Sequence, residues 1–410
     1  MLFKIAWRNL WRQPRRTWIT AGTVAFGFWI AVTFTAVREY TFSNLIDTGA
    51  LMGVGHVTVQ PRGALDEPSL DRTIAGVDGL RDTAMAAPHV VAAVPRISGQ
   101  ALFAAAGRVR GGAMMAVDPT VESEATNIFP AAITEGAFFT TPGEHTVVMG
   151  RTMADQLGVG LGKKVVYTTT DKHGELVSGA GRVCGIYETG LTDIDGAIVL
   201  LPIDRARELL GYGPQEASAL VVMVDHQRNV GPVQAALAAR AVSGEEVVTW
   251  RETLRALLDL AAIKEVSQVF LELFIGLMIA AGVLNTLLMS VLERRREFGI
   301  MMAVGMAPAR LFGMILAESV YIGAVGLALG AAITTPWALY LHVVGLDMGA
   351  MMGKGMSVGG VALDPIMRFD LPLTTLAGIV VVLFVLTLLA GLYPAWRAGR
   401  DLPVTSLRLV

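Results

Sequence analysis

The stretch VSQVFLELFIGLMIAAGVLNTLLMSVLERRREFGIMMAVG, Val266–Gly305, decides the fold. From Val266 to Leu292 the only ionised side chain is Glu272, and about 20 apolar residues suffice to cross a bilayer core. The segment is predicted to span. Glu293-Arg294-Arg295-Arg296-Glu297 follows directly, and a short apolar run then closes at Gly305. Three arginines at the mouth of a spanning helix mark the cytoplasmic side. For the arginines alone a plain stop-transfer anchor is the simpler explanation. It leaves unexplained Glu293 and Glu297, which topology does not require, and the amphipathic piece through Gly299, Ile300 and Ala303. A rigid rod ending in a charged helical foot is a device for transmitting force from a cytoplasmic partner.

Working outward, the chain is 53% hydrophobic and 17% charged over 410 residues, with a mean hydropathy of +0.55. That is too apolar for an ordinary soluble protein and too polar for a bundle of many spans. A net charge of -2 offers no basic field for nucleic acid. Cys184 is the only cysteine, so neither an intrachain disulfide nor a cysteine-based zinc site is available.

Residues 1–16 read as a cytoplasmic amphipathic helix on the membrane surface. Phe3, Ala6, Trp7, Leu10 and Trp11 recur at helical spacing, opposite Lys4, Arg8, Arg12, Arg15 and Arg16, and Pro14 should end or bend it. Residues 17–38 form the first span, and its basic flank places the N-terminus inside. A cleaved signal peptide competes, but the apolar run is too long and no small-residue cleavage site follows. Gly27 and Ala31, four apart, suit close helix approach.

Residues 39–265 contain no further spanning stretch and therefore lie outside, between the first two spans. Their texture is α/β. Val57–Gln60, Ala101–Ala105, Ala113–Val117, Val165–Thr170, Val183–Tyr187, Ala197–Leu201 and Leu220–Val224 are β-prone runs bounded by Gly, Pro or Asp. Helical patterns fall at Arg151–Leu157, Asp204–Leu210 and Val233–Ala241, enough for a core of their own. Arg251–Glu265 is expected to be a stalk helix that enters the second span, 266–292, without a breaker.

Beyond the foot, 293–310, come a third span, 311–341, an external loop, 342–370, a fourth span, 371–396, and a tail, 397–410. Pro336 is expected to begin the departure into that loop. Arg397, Arg400 and Arg408 return the C-terminus to the cytoplasm. The fold class is thus membrane α-helical, with four transmembrane helices and a large α/β extracytoplasmic domain inserted between the first and second. Glu318, at membrane depth, is either a proton or substrate site or a helix-packing hydrogen bond. Glu272 lies near the outer end of its span and can snorkel. Met348, Met351, Met352 and Met356 suggest either soft-metal binding or an apolar lid, and no cysteine or histidine stands close to favour the metal.

The pattern Glu-Arg-x-Arg-Glu-x-Gly-Ile-x-x-Ala-x-Gly, Glu293 to Gly305, resembles the signature of the FtsX-like permeases, the type VII ABC permease family that includes the lipoprotein-releasing (Lol) and MacB-type transporters. It sits between the second and third spans, as in that family. Val147-Val148-Met149-Gly150-Arg151, with Ala154, Leu157-Gly158-Val159, Gly162 and Lys163, resembles the family's extracytoplasmic domain. The closing run Tyr393-Pro394-Ala395-Trp396-Arg397-Ala398 resembles its ending. The resemblance implies a permease of the bacterial inner membrane with a large periplasmic domain and both termini cytoplasmic, working with a second permease copy or paralogue. It implies no directly bound cofactor, since ATP and Mg are handled by cytoplasmic ABC ATPase subunits seated on Glu293, Arg294, Arg296, Glu297, Gly299, Ile300, Ala303 and Gly305. It favours helix packing for Glu318 and for Gly323, Gly326 and Gly330. The implied cargo is a lipoprotein or membrane lipid. Phe34, Phe270 and Phe274 are either a cavity for lipid chains or ordinary lipid-facing surface. One departure stands out. Where one Lol permease carries a protruding carrier-recruiting loop, only Asp171-Lys172-His173-Gly174-Glu175-Leu176 joins Thr170 to Val177.

A phosphate-cradling loop needs Gly-x-x-x-x-Gly-Lys followed by Ser or Thr, and neither Gly162-Lys163 nor Gly353-Lys354 satisfies it. HExxH is absent. The chain is expected to be a non-catalytic transport subunit. Two other classes remain: export of a small amphiphile or signalling to a periplasmic partner such as a cell-wall hydrolase, and a secondary transporter with Glu318 or Glu272 as proton site. No inverted repeat supports the last.

Overall fold

The computed structural model describes residues 2–240, 244–347, 357–358, 361–362, 366–369 and 371–400. Met348, Met351, Met352, Met356, Gly353-Lys354 and the tail beyond 400 lie outside them. The chain divides into two compact units, one of Met1–Tyr40, Ala262–Leu346 and Ile366–Val410, the other of Thr41–Ala261 and Asp347–Pro365. The helices in chain order are α1 (Leu2–Leu10), α2 (Pro14–Gly49), α3 (Val77–Met85), α4 (Arg151–Leu157), α5 (Thr192–Asp195), α6 (Ile203–Leu210), α7 (Val230–Ala238), α8 (Trp250–Thr253), α9 (Arg255–Glu293), α10 (Arg295–Ala303), α11 (Pro308–Val343) and α12 (Leu373–Arg400). The strands of the large sheet are β1 (Val57–Pro61), β2 (Val90–Ala105), β3 (Arg108–Val117), β4 (Ile133–Gly136), β5 (Thr146–Gly150), β6 (Lys164–Thr170), β7 (Leu176–Tyr187), β8 (Ile198–Pro202), β9 (Ala219–Val224) and β10 (Glu245–Thr249).

In the second unit six strands close on themselves. β2 pairs with β3, β3 with β8, β8 with β5, β5 with β7, β7 with β6, and β6 returns to β2. Closure removes the free edges that a sheet otherwise exposes. The alternation of β6 shows how sequence drives it: Val165, Tyr167 and Thr169 point inward while Lys164, Val166 and Thr170 are exposed, as the two-residue strand period requires. Phe103, Met114, Met149, Val183, Val199 and Leu201 complete the interior. β9, β1 and β10 extend outward from the first half of β2. α4 ends at Gly158, whose φ of 69° and backbone N–H to Asp155 are the left-handed cap that glycine adopts without strain.

A buried ion pair stitches β2 to the loop before β4. Arg96 and Glu122 lie 3.2 Å apart with side chains 1% and 2% exposed, and Arg96 also donates to the Thr126 carbonyl at 2.9 Å. Burial pushes the Arg96 guanidinium down from its ordinary value, and the Glu122 carboxylate opposes that.

The first unit contains most of the apolar helical length. α2, α9, α11 and α12 are each long and apolar enough to cross a membrane. Three boundaries differ from the sequence expectation. The N-terminal helix stops at Leu10, and Pro14 opens α2 instead of closing α1, because a proline without N–H and with fixed φ suits a first helical turn. α11 continues through Pro336 to Val343, as membrane helices tolerate when neighbours supply partners. The stalk is broken at Leu254, with φ -107° and ψ 53°. Trp250 is buried in the domain core against Phe42, and a capping box of Thr249 and Glu252 starts its turn, so that turn belongs to the sheet domain. From Arg255 onward α9 is a single helix of 39 residues.

Candidate functional site

The charged foot is a helix of its own. Arg294 leaves helical geometry at φ -104° and ψ 14°, and α10 then runs from Arg295 to Ala303. Its buried face carries Phe298 and Gly299. Phe298 packs with Ala6 of α1, Leu311, Met314 and Ile315 of α11, and Ala395 and Ala398 of α12. The other face is open: Ile300 is 50% and Val304 84% exposed, beside exposed Arg296, Glu297, Ala303 and Gly305. Gly305 adopts φ 100°, which a side chain would strain. The chain turns there, and Pro308 opens α11.

The charges around this foot form two groups of contacts within the first unit, one about Glu297 and Glu318 and one about Glu293. Arg294 donates to Glu318 at 3.1 Å, and Asn9 donates to the same carboxylate oxygen at 3.1 Å. Arg294 also donates to Glu297 at 3.1 Å, and its guanidinium lies 5.1 Å from the centre of the Phe298 ring, within cation–π range. Glu297 accepts from Arg12 at 3.3 Å, while Glu293 accepts from Arg16 at 3.1 Å and Gln13 at 3.3 Å. Arg16 further donates to the Thr286 carbonyl.

The two ends of the first group differ in weight. Arg12 and Glu297 are 63% and 47% exposed, so their pair contributes at most about 1 kcal/mol. Arg294 and Glu318 are 14% and 7% exposed. A carboxylate so enclosed persists only when paired and hydrogen-bonded. Glu318 therefore fastens α1, the junction between α9 and α10, and α11 at one point. Sequence reasoning placed Glu318 among packing residues but missed Asn9, Arg12 and Arg16 as partners of the foot. The signal was present in the unmatched Glu293 and Glu297, which needed cations from elsewhere in the chain.

The glycines singled out in the third apolar helix sit at close approaches. A Cβ on Gly326 would lie 2.6 Å from Val24 and one on Gly330 2.8 Å from Phe28, both on α2, while one on Gly323 would meet Thr387 of α12 at 3.2 Å. Gly27 is closer still, 2.3 Å from Ile279 of α9. Phe34, Phe270 and Phe274 are exposed. Glu272 is half-buried and accepts from Gln268 one turn earlier. Among the described residues no group of three or more His, Cys, Asp or Glu is arranged to hold a metal.

Residues 17–240 match the family model of the MacB-like periplasmic core domain, and residues 269–403 match that of the FtsX-like permease C-terminal region. The lipoprotein-releasing system transmembrane protein LolC of Neisseria meningitidis is 25% identical over 332 residues, 78% of either chain. The macrolide export ATP-binding/permease protein MacB of Nitrobacter winogradskyi is 25% identical over 409 residues, covering 96% of this chain and 58% of that protein. The periplasmic region of MacB from Actinobacillus actinomycetemcomitans aligns with a TM-score of 0.36 at 12% identity, over 51% of this chain and 94% of that one.

Proposed function

Since the chain belongs to the FtsX-like permeases, with a MacB-like periplasmic core domain ahead of the permease C-terminal region, we propose that it is the transmembrane subunit of an ABC transporter of the LolC/MacB type. It resides in the bacterial inner membrane, crosses it four times, and keeps both termini in the cytoplasm with the sheet domain in the periplasm. ATP hydrolysis belongs to separate cytoplasmic ATPase subunits, and a second permease copy or paralogue completes the assembly. The observation that carries this reading is α10: one face is locked into the helical unit through Phe298 while Arg296, Ile300, Ala303 and Val304 are presented outward. An apolar patch edged by charge is what a docked subunit covers.

Closure of the ATPases displaces α10, and α9, continuous from Glu293 back to Arg255, carries the displacement outward. The cargo class best supported is a lipoprotein or membrane lipid, in keeping with the LolC relative aligned along most of both chains. The MacB relative, matched over 96% of this chain, keeps export of a small amphiphile as the second reading. The test is Glu297→Arg, which reverses a charge on the open face and sets it against Arg12 and Arg294. ATP hydrolysis should uncouple from transport; normal coupled activity would remove the role assigned to α10.

A further inference from the structure

α1 divides into three faces rather than two. At 3.6 residues per turn, Ala6, Asn9 and Leu10 fall on one side. They face protein: Ala6 and Leu10 are buried, and Asn9 reaches Glu318. The remaining arc carries two separate stripes. Phe3 and Trp7 lie about 40° apart and, with Trp11 in the turn that follows, are 63%, 42% and 36% exposed. Lys4 and Arg8 occupy the adjoining arc, also about 40° apart, with Arg12 in the same turn, and all three are exposed. Arg15 adds a further exposed cation past the turn.

The aromatic stripe is ordered by ring contacts. Trp7 meets Trp11 edge-on at 5.8 Å, Trp11 meets Trp18 at 5.7 Å, and Trp7 is held against Tyr321 of α11 at 5.2 Å. Indole rings favour the level where acyl chains meet headgroups, which sets the neighbouring basic stripe at the level of the phosphates. No acidic residue occurs in the sequence before Glu39. Among the described residues, Arg12 and Arg16 have acidic partners on or beside α10, whereas none pairs with Lys4, Arg8 or Arg15.

We propose that Lys4, Arg8 and Arg15, together with the edge of Trp7 and Trp11, form a binding surface for anionic phospholipid headgroups in the leaflet that α1 lies against. The occupant follows from charge complementarity: three cations beside a row of indoles match a monoanionic or dianionic headgroup above acyl chains, and a zwitterionic headgroup offers them no net charge. The surface rests on the reading of α2 as a membrane span. It also abuts the coupling foot, because the basic stripe ends at Arg12, whose partner is Glu297 of α10.

The test uses the full chain in lipid nanodiscs with Trp18, Trp29, Trp250, Trp337 and Trp396 replaced by phenylalanine, so that emission comes from Trp7 and Trp11 alone and is quenched by brominated phosphatidylglycerol or, separately, brominated phosphatidylcholine. Each basic residue near an anionic surface contributes about fivefold in affinity, so three give a preference on the order of 100-fold for phosphatidylglycerol. Lys4→Gln/Arg8→Gln/Arg15→Gln should abolish the preference and leave quenching by phosphatidylcholine unchanged, showing that α1 still sits at the interface. Arg8→Lys should retain it. Equal quenching by the two lipids in the unaltered chain, or a preference that survives the triple substitution, would overturn the proposal. Absence of quenching by either lipid would instead defeat the membrane reading on which it stands.

Discussion

Replacing Glu318 by leucine removes a buried acceptor shared by Asn9 of α1 and Arg294 at the start of the foot. The carboxylate is 7% exposed and accepts from Arg294 and Asn9, each at 3.1 Å. A hydrogen bond to a charged group contributes about 1.5–3 kcal/mol, so the two together bracket about 3–6 kcal/mol. Arg294 keeps Glu297 at 3.1 Å, but that carboxylate is 47% exposed and compensates only in part. The expected loss is therefore about 3–4 kcal/mol, in line with breaking an enclosed pair from one side. Unfolding of the purified chain in mixed micelles, followed by tryptophan emission, measures it. Arg294→Met/Glu318→Leu should recover at least half of the loss, because no uncompensated charge is left behind. A Glu318→Leu variant within about 0.5 kcal/mol of the parent, or a double variant equal to the sum of the singles, would refute the assignment of Glu318 as the fastening point.

The same logic applies in the sheet domain, where Arg96→Met should cost about 3–5 kcal/mol and Arg96→Met/Glu122→Leu should return close to the parent; calorimetry of the four proteins gives the cycle. Asp225 is held below the usual carboxylate range by the Asn229 side chain and then by His89. A depressed carboxyl stabilises above its unfolded pKa and loses that contribution as pH falls through its folded value. Asp225→Asn should therefore speed amide exchange over Val224–Asn229 at neutral pH, and the difference should fade on acidification; a difference that grows in acid would contradict the sign. Gly326→Val should lower the thermal midpoint of the helical unit, since its Cβ would lie 2.6 Å from Val24 and 3.1 Å from the Ala21 carbonyl.

The four apolar helices were legible because length and uniform hydropathy need no tertiary context, and the family was legible in the run from Glu293 to Gly305. In the sheet domain, α4 and β6 could be read from local signals: glycines flanking Arg151–Leu157, and strict alternation in Lys164–Thr170. β2 could not be read in full. Only Ala101–Ala105 showed a strand pattern, yet the strand begins at Val90, because it pairs with β9, β3 and β6 in succession and the buried Arg96 interrupts its apolar run. β10 and α3 were missed for a related reason: each mixes polar with apolar residues without a clear period, and pairing with β1 or packing on β2 decides their state. At the foot, sequence pointed to the charged run. The partners Asn9, Arg12 and Arg16 lie more than 270 positions away in the chain, and only folding brings them to it.

The most direct measurement is photocrosslinking from a reactive amino acid placed at Val304, the most exposed apolar side chain on the foot, in cells that express the chain at native level. The account predicts a covalent adduct with a nucleotide-hydrolysing subunit on the cytoplasmic side, lost on Glu297→Arg. Adducts confined to lipid, or to a protein of the periplasm, would contradict it.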